Sequence, residues 1–104
     1  MPARTKGFRD RFKRADHYKK HKYECGGATN EREYEQRADK FLCGPLTPSV
    51  SECNRRSGDL VRYDVSTGEF GCLSPNGFIR TYKIFQNKIN GLAYFKRQCA
   101  RIYI

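Results

Sequence analysis

Residues 57–85 read SGDLVRYDVSTGEFGCLSPNGFIRTYKIF, and this stretch decides the fold class. Short runs of apolar and aromatic residues alternate here with turn signals, of which Pro75-Asn76-Gly77 is the strongest. Strands that follow each other this closely pair with their neighbours in sequence, in antiparallel fashion. We therefore predict an antiparallel β-meander with strands at residues 49–56, 59–64, 69–73 and 78–85.

Two helices are predicted before the meander. The first spans residues 8–24, where Phe8, Phe12 and Ala15 recur at helical spacing and basic residues fill the other faces. The second begins at Asn30, which is a good N-cap, and Glu33 completes a capping-box pattern. Gly44-Pro45 ends the second helix. Its apolar stripe consists of Tyr34, Ala38, Phe41 and Leu42.

The predicted architecture is α+β, with two N-terminal helices packed on the four-stranded antiparallel β-meander. A chain of 104 residues is long enough for one domain, so we expect a single domain over residues 1–104 and a monomer. Residues 1–15 are expected to form a partly flexible basic segment. The tail from residue 91 onward leaves two interpretations open. Leu92, Phe95 and Cys99 follow helical spacing, whereas residues 102–104 resemble the end of a strand.

The charge of the chain indicates a polyanionic partner. Twenty-one Lys and Arg residues stand against eleven Asp and Glu residues, which gives a net charge of +10. Residues 1–22 carry nine basic and two acidic side chains, and residues 80–101 carry six basic and no acidic ones. A fold does not need this imbalance, which costs stability through self-repulsion. Nucleic acid or an acidic protein is therefore the expected partner.

The five cysteines are predicted to be mostly buried, reduced apolar residues. Their number is odd and no pair has Cys-x-x-Cys spacing, which disfavours both a disulfide framework and a zinc site. We expect no metal and no cofactor. No apolar run approaches membrane-spanning length, and the charged N-terminus lacks the apolar region of a signal peptide. We therefore expect no contact with a membrane and no signal peptide in this chain.

The sequence contains two histidines, His17 and His21. They share one face of the first predicted helix, with Lys20 beside them. The unperturbed pKa of histidine, about 6.5, suits proton transfer at cellular pH. Two solvated histidines on a basic helix are the alternative. A zinc protease motif would need Glu where Tyr18 stands.

A phosphate site is predicted on the last strand. Side chains alternate along a strand, so Arg80 and Tyr82 are expected on one face and Thr81 and Lys83 on the other. Arginine binds phosphate with two hydrogen bonds, and a hydroxyl can donate to a phosphate oxygen. Arg62 on the second strand offers the same chemistry. An ordinary polar strand face remains the alternative.

Three motifs that follow one another in order resemble those of a known family. They are GDLVRYD at 58–64, TGEFG at 67–71 and NGFIRTY at 76–82, with HYKKH at 17–21 upstream. Together they resemble the C-terminal toxin domains of bacterial polymorphic toxins and contact-dependent inhibition proteins. These domains are grouped as the barnase–EndoU–colicin–RelE ribonuclease fold. The resemblance covers roughly residues 16–83.

The resemblance implies metal-independent cleavage of RNA, in particular tRNA, inside a neighbouring cell. It also implies delivery by a secretion system into the target-cell cytoplasm and an acidic cognate immunity protein that blocks the active site. By position, His21 is the first candidate for acid–base catalysis, Arg80 and Thr81 follow, and His17 is a second histidine. The predicted RNA contacts are Lys20, Arg62, Tyr82 and Lys83.

The predicted reaction is transesterification by the ribose 2′-OH. His21 would remove the proton, Arg80 and Thr81 would hold the phosphate, and His17 or Lys83 would protonate the leaving oxygen. Two other classes of function remain open, a non-catalytic RNA-binding module and a domain that binds an acidic protein. A toxin of the same fold class with another substrate is a third alternative.

Overall fold

A computed structural model describes residues 5–21 and 30–100 of the chain. It contains three helices and one four-stranded sheet, which confirms the predicted α+β class. Along the chain the elements are α1 (Arg11–His21), α2 (Glu31–Cys43), β1 (Val50–Asn54), β2 (Leu60–Asp64), β3 (Glu69–Leu73), β4 (Ile79–Ile84) and α3 (Lys88–Ala100).

The sheet is the predicted meander, with strand order β1-β2-β3-β4 and antiparallel pairing throughout. Gly68 and Gly77 have φ angles of 82° and 94°, in the left-handed region that glycine tolerates and most residues avoid. They stand in the two turns that join β2 to β3 and β3 to β4. The turn signals in the sequence therefore fixed the strand order, because each short turn can only join neighbouring antiparallel strands.

Helices cover both faces of the sheet. On one face, α1 and α2 enclose a core of Phe8, Tyr34, Ala38, Leu42, Ile79 and Tyr82. On the other face, α3 encloses a core of Val61, Tyr63, Phe70, Cys72 and Phe95. The predicted packing of two N-terminal helices on the meander is confirmed, and α3 adds a third layer. The middle residues of β2 and β3 are consequently buried on both faces.

The second predicted helix forms as expected. The Asn30 side chain accepts a hydrogen bond of 2.8 Å from the backbone N–H of Glu33, which is the predicted N-cap. Tyr34, Ala38 and Leu42 are buried along one stripe. The helical interpretation of the tail is also correct, because α3 buries Phe95 against β2. Residues 102–104, where we considered a strand end, lie outside the described residues.

The first predicted helix begins three residues later than predicted, at Arg11. Asp10 caps it, because its carboxylate accepts a hydrogen bond of 2.8 Å from the Lys13 N–H. Before Asp10 the chain runs beside β4, where Lys6 donates to the carbonyl of Gly77 and Ile79 donates to that of Gly7. The end predicted at residue 24 lies outside the described residues.

The predicted apolar stripe of the first helix is wrong. Phe8 is buried, but it lies on the segment that bridges to β4, and Phe12 is 74% exposed. Arg14, Ala15, His17 and Tyr18 are the half-buried positions among the described side chains of α1, and the Tyr18 ring contacts the Tyr34 ring. The helical spacing of Phe8, Phe12 and Ala15 misled the prediction because the segment before Asp10 forms a bridge instead of a helical turn.

Two of the five cysteines are not reduced. Cys53 on β1 and Cys99 on α3 form a disulfide. The prediction failed because an odd number of cysteines can still contain one pair, and only the folded chain shows that β1 and α3 meet. Cys72 is buried, as predicted, and burial raises the pKa of its thiol. Cys43 is half-buried, and Cys25 lies outside the described residues.

Within residues 5–21 and 30–100, no helix combines the length and apolar character that a membrane crossing requires. The same residues contain no group of three or more His, Cys, Asp and Glu side chains that could hold a metal ion.

Candidate functional site

A cleft of about 320 Å³ opens between α1 and the start of β4, and we call it the α1–β4 cleft. Two residues that the sequence singled out, His17 and Arg80, both line it. The lining residues are Arg9, Lys13, His17, Ser74, Asn76, Phe78, Ile79 and Arg80. Among these described residues, Arg9, Lys13 and Arg80 are cationic and none is acidic.

Two of these side chains lie on one face of α1. Lys13 and His17 are four residues apart on the helix, a spacing that brings side chains to one face at successive turns, and Arg9 lies just before the Asp10 cap. His17 is half-buried, and its ring stacks on the Phe8 ring with 5.2 Å between the centroids. The buried Phe8 thereby connects the histidine to the core. The cleft thus holds one fixed imidazole between cationic side chains.

Arg80 occupies an irregularity of the sheet. The register pairs Cys72 with Thr81 and Leu73 with Ile79, so that Arg80 is the extra residue of a β-bulge. The prediction that Arg80 and Tyr82 share a face is therefore wrong, because the bulge interrupts the alternation. Tyr82 enters the core under α2, whereas Arg80 has a side chain that is 53% exposed.

A buried carboxylate holds Arg80 from behind. The Asp59 side chain is only 5% exposed, and its Oδ1 accepts a hydrogen bond of 3.0 Å from the Arg80 Nε. Its Oδ2 accepts one of 2.8 Å from the Arg55 Nη2. Arg55 in turn donates from Nη1 to the Gln98 Oε1 on α3, at 2.7 Å. Asp59 therefore fixes Arg80 by its Nε atom.

The two guanidinium groups also control the ionisation of Asp59. Burial by itself raises the pKa of this carboxyl, but the hydrogen bonds and positive charges of Arg80 and Arg55 outweigh it. The net effect is a pKa below the ordinary value, so that the carboxylate stays charged at neutral pH. Sequence reasoning missed Asp59, because Gly58-Asp59 reads as the end of a turn.

The Asp59→Asn variant is expected to unfold at lower urea concentration than the wild type at pH 7. Its free energy of unfolding is lower by about 1–3 kcal/mol, because one buried charge that pairs with two arginines is removed. The folded-state pKa lies below the unfolded-state value of about 3.9. Asp59 therefore contributes fully to the free energy of unfolding when the pH is above the unfolded-state pKa. This contribution is lost as the pH falls through the folded-state pKa.

Urea unfolding at pH 7, 5 and 3 checks this expectation. The gap between Asp59→Asn and the wild type should be wide at pH 7 and 5 and narrower at pH 3. Asp16→Asn is the control, because Asp16 pairs with Lys20 on the surface, where their side chains are 59% and 61% exposed. Such pairs contribute about 0–1 kcal/mol. A gap that stays equal from pH 7 to pH 3 contradicts the charged role of Asp59.

The other predicted residues lie away from the cleft or serve the fold. Thr81 and Lys83 share a face, as predicted, because their register partners Cys72 and Phe70 are two residues apart on β3. That face is the one covered by α3, where the Lys83 Nζ lies 4.3 Å from the centroid of the Tyr94 ring. Neither residue lines the cleft.

Arg62 and Tyr82, which we predicted to contact RNA, make structural contacts. Arg62 is 5% exposed, and its Nε donates to the Glu52 Oε1 at 2.6 Å. Its Nη1 donates to the backbone carbonyls of Phe41 and Gly44 at the end of α2. Tyr82 is 1% exposed, and its hydroxyl donates to Glu69. These placements give no support to an RNA contact at either side chain.

The two remaining candidates belong to α1. Lys20 is exposed and pairs with Asp16 at 3.2 Å. His21 is the last residue of α1, and its side chain lies outside the described residues. Sequence reasoning also missed part of the cleft. The i, i+4 spacing of Lys13 and His17 on the first predicted helix was available as a signal, whereas nothing in the sequence marked Ser74, Asn76 and Phe78 beyond the turn they form.

Comparison with known proteins gives no match, either to a family model or to a curated protein sequence.

Proposed function

We propose that this domain is a metal-independent endoribonuclease whose α1–β4 cleft holds a phosphodiester of RNA. The observation that supports this proposal is the convergence of His17, Lys13, Arg9 and Arg80 on one cleft. A group that can transfer protons near neutral pH and three cations that can hold a phosphate are what such a reaction needs. The net charge of +10 favours a polyanionic substrate.

In the proposed reaction, His17 removes the proton of a ribose 2′-OH, and the oxygen attacks the adjacent phosphorus. A bond forms between the 2′-oxygen and phosphorus while the bond between phosphorus and the 5′-oxygen breaks. The Lys13 ammonium gives a proton to the leaving 5′-oxygen, and Arg80 stabilises the charge that develops on the phosphate. The products are a 2′,3′-cyclic phosphate and a 5′-hydroxyl.

We assign the base to His17 instead of His21, because His17 lines the cleft with Arg80, whereas the His21 side chain lies outside the described residues. The resemblance to bacterial toxin domains extends the proposal to a role. The domain would act on RNA, in particular tRNA, in a competing cell, after delivery into its cytoplasm by a secretion system. An acidic immunity protein would then be its natural inhibitor, since it could cover the cationic cleft.

The test is incubation of the purified chain with total bacterial RNA in EDTA. We expect discrete fragments that end in 2′,3′-cyclic phosphates. A DNA oligonucleotide with the sequence around a cleaved RNA position should stay intact, since DNA lacks the 2′-OH. Cleavage of DNA at a similar rate would refute the mechanism. RNA that is bound but not cut would favour the non-catalytic binding module.

The Arg80→Ala variant is expected to cleave RNA about 10²–10³-fold more slowly, because it lacks the group that stabilises the developing charge. Lys96→Ala is the matched control, since it removes an exposed cation from α3, on the other face of the sheet. Initial rates in EDTA compare the two variants with the wild type. An equal loss in both variants would indicate a general effect of charge and would contradict a specific role of Arg80.

A further inference from the structure

The turn between β3 and β4 adds an aromatic ring and a carboxamide to the α1–β4 cleft. Phe78 and Asn76 line the cleft together with the cations, but neither carries a charge for a phosphate. Phe78 is half-buried, and the Lys6 Nζ lies 5.6 Å from the centroid of its ring. An aromatic ring beside phosphate-binding cations is the arrangement on which nucleic-acid bases stack.

Hydrogen bonds fix the turn in one conformation. The Ser74 N–H donates to the Phe78 carbonyl at 2.8 Å, and the Gly77 N–H donates to the Ser74 carbonyl at 3.0 Å. The Ser74 side chain, in a residue only 7% exposed, accepts from the Phe78 N–H at 3.0 Å. Its hydroxyl donates to the Asn76 Oδ1. The turn therefore presents its side chains in a set orientation.

The Ser74 hydroxyl has one proton, and Asn76 receives it at Oδ1. The Asn76 carboxamide is thereby oriented by a buried residue. Within residues 5–21 and 30–100 its Nδ2 group donates to no acceptor, so two N–H donors remain for a ligand. Asn76 itself is exposed, so a ligand in the cleft can reach these donors. The carboxamide therefore offers hydrogen-bond donors to a ligand, because its carbonyl oxygen already accepts the Ser74 hydroxyl proton.

We propose that this turn is a base-reading subsite that prefers keto bases, guanine and uracil, over the amino bases adenine and cytosine. The base stacks on Phe78, and the O6 of guanine or the O4 of uracil accepts a hydrogen bond from the Asn76 Nδ2. Adenine and cytosine carry an amino donor in place of that carbonyl, so two donors would face each other. This inference rests on the proposed function, because the bound phosphate belongs to the same nucleotide.

The size of the cleft agrees with this ligand. A volume of about 320 Å³ lies at the lower end of the range for small-molecule sites, roughly 300–1,000 Å³. One nucleotide unit is therefore the expected occupant, with its phosphate toward Arg80 and its base toward Phe78. The subsite gives the proposed ribonuclease a preference for the base at one position of its substrate.

The experiment measures binding of 2′-O-methyl RNA pentamers, which cannot be cleaved through the 2′-oxygen. Four pentamers, AANAA with A, C, G or U at the centre, carry a fluorophore, and anisotropy gives the dissociation constants. We expect the G and U pentamers to bind about tenfold more tightly than the A and C pentamers. G and U gain one hydrogen bond from Asn76, whereas with A and C two donors face each other. Lys96→Ala should keep this order.

The decisive variant is Asn76→Asp, which is isosteric and can still accept the Ser74 hydroxyl proton. Its second oxygen accepts hydrogen bonds instead of donating them, so the preference should reverse to the A and C pentamers. The added negative charge weakens binding of all four pentamers alike, so the charge by itself does not change their order. In addition, Phe78→Leu should weaken all four at least fivefold, while Phe78→Tyr should not.

Equal binding of the four pentamers by the wild type, an unchanged order in Asn76→Asp, or no binding of any pentamer would each overturn the subsite. Failure of the proposed function has a different signature. A wild type that prefers G and U pentamers but leaves RNA uncut retains the subsite without the catalysis. A wild type that cuts RNA with no preference retains the catalysis without the subsite.

Discussion

RNA cleavage by the His17→Gln variant is expected to be about 10²–10⁴-fold slower than by the wild type, because the variant lacks the proposed general base. Gln keeps a polar group at this position of α1 but cannot take a proton at neutral pH. The measurement is the initial rate on a short RNA oligonucleotide with a fluorophore and a quencher, at pH 7 in EDTA. The cations of the cleft are unchanged, so RNA should still bind.

A second variant separates the loss of the base from a loss of packing. The His17 ring stacks on the buried Phe8, so its removal can also loosen α1. His17→Phe keeps a stacked ring and removes both nitrogens, and it should be as inactive as His17→Gln while unfolding near the wild-type temperature. Activity that survives in His17→Phe would show that the ring is needed for packing and not for proton transfer.

The same assay decides between the two histidines. The sequence motif made His21 the first candidate, whereas the α1–β4 cleft contains His17. If the His21→Gln variant lost activity and the His17→Gln variant retained it, the assignment of the base to His17 would be wrong. The comparison needs no knowledge of the natural RNA, because both variants are tested on one substrate.

The meander and α2 could be predicted because their signals are local. Pro75-Asn76-Gly77 forms a turn by its own backbone preferences, and Asn30 caps α2 by a hydrogen bond to a residue three positions away. By contrast, the position of α3 could not be predicted. Its stripe of Leu92, Phe95 and Cys99 shows a helix, but not which face of the sheet it covers.

The candidate site was predicted only in part, for a related reason. Arg62 and Arg80 look alike in sequence, since each lies on a strand beside aromatic or apolar residues. Strand pairing places Arg62 opposite Glu52, and the buried Arg62 side chain forms an ion pair with the partly exposed Glu52. The bulge instead leaves Arg80 at the cleft. Register and bulges depend on contacts between distant residues, so a single strand does not reveal which arginine remains available for a ligand.

Reduction of the disulfide between Cys53 and Cys99 is expected to lower the free energy of unfolding by about 2–4 kcal/mol. The two cysteines are 46 residues apart, and a cross-link over such a separation removes much of the conformational freedom of the unfolded chain. The bond joins β1, at the edge of the sheet, to the last turn of α3. Urea unfolding with and without dithiothreitol measures the difference.

Matched variants show whether this loss belongs to the disulfide. The Cys53→Ala/Cys99→Ala double variant should unfold like the reduced wild type and should not respond to dithiothreitol. Cys43→Ala should keep the response, because Cys43 is not in the disulfide.

In the unfolded, non-reduced protein no more than three of the five cysteines should react with a thiol reagent. Five reactive thiols, or an unfolding midpoint that reduction leaves in place, would contradict the cross-link. Gln98, which precedes Cys99 in the chain, accepts a hydrogen bond from Arg55, and Arg55 shares Asp59 with Arg80. We therefore expect the cross-link also to stabilise the support behind the cleft.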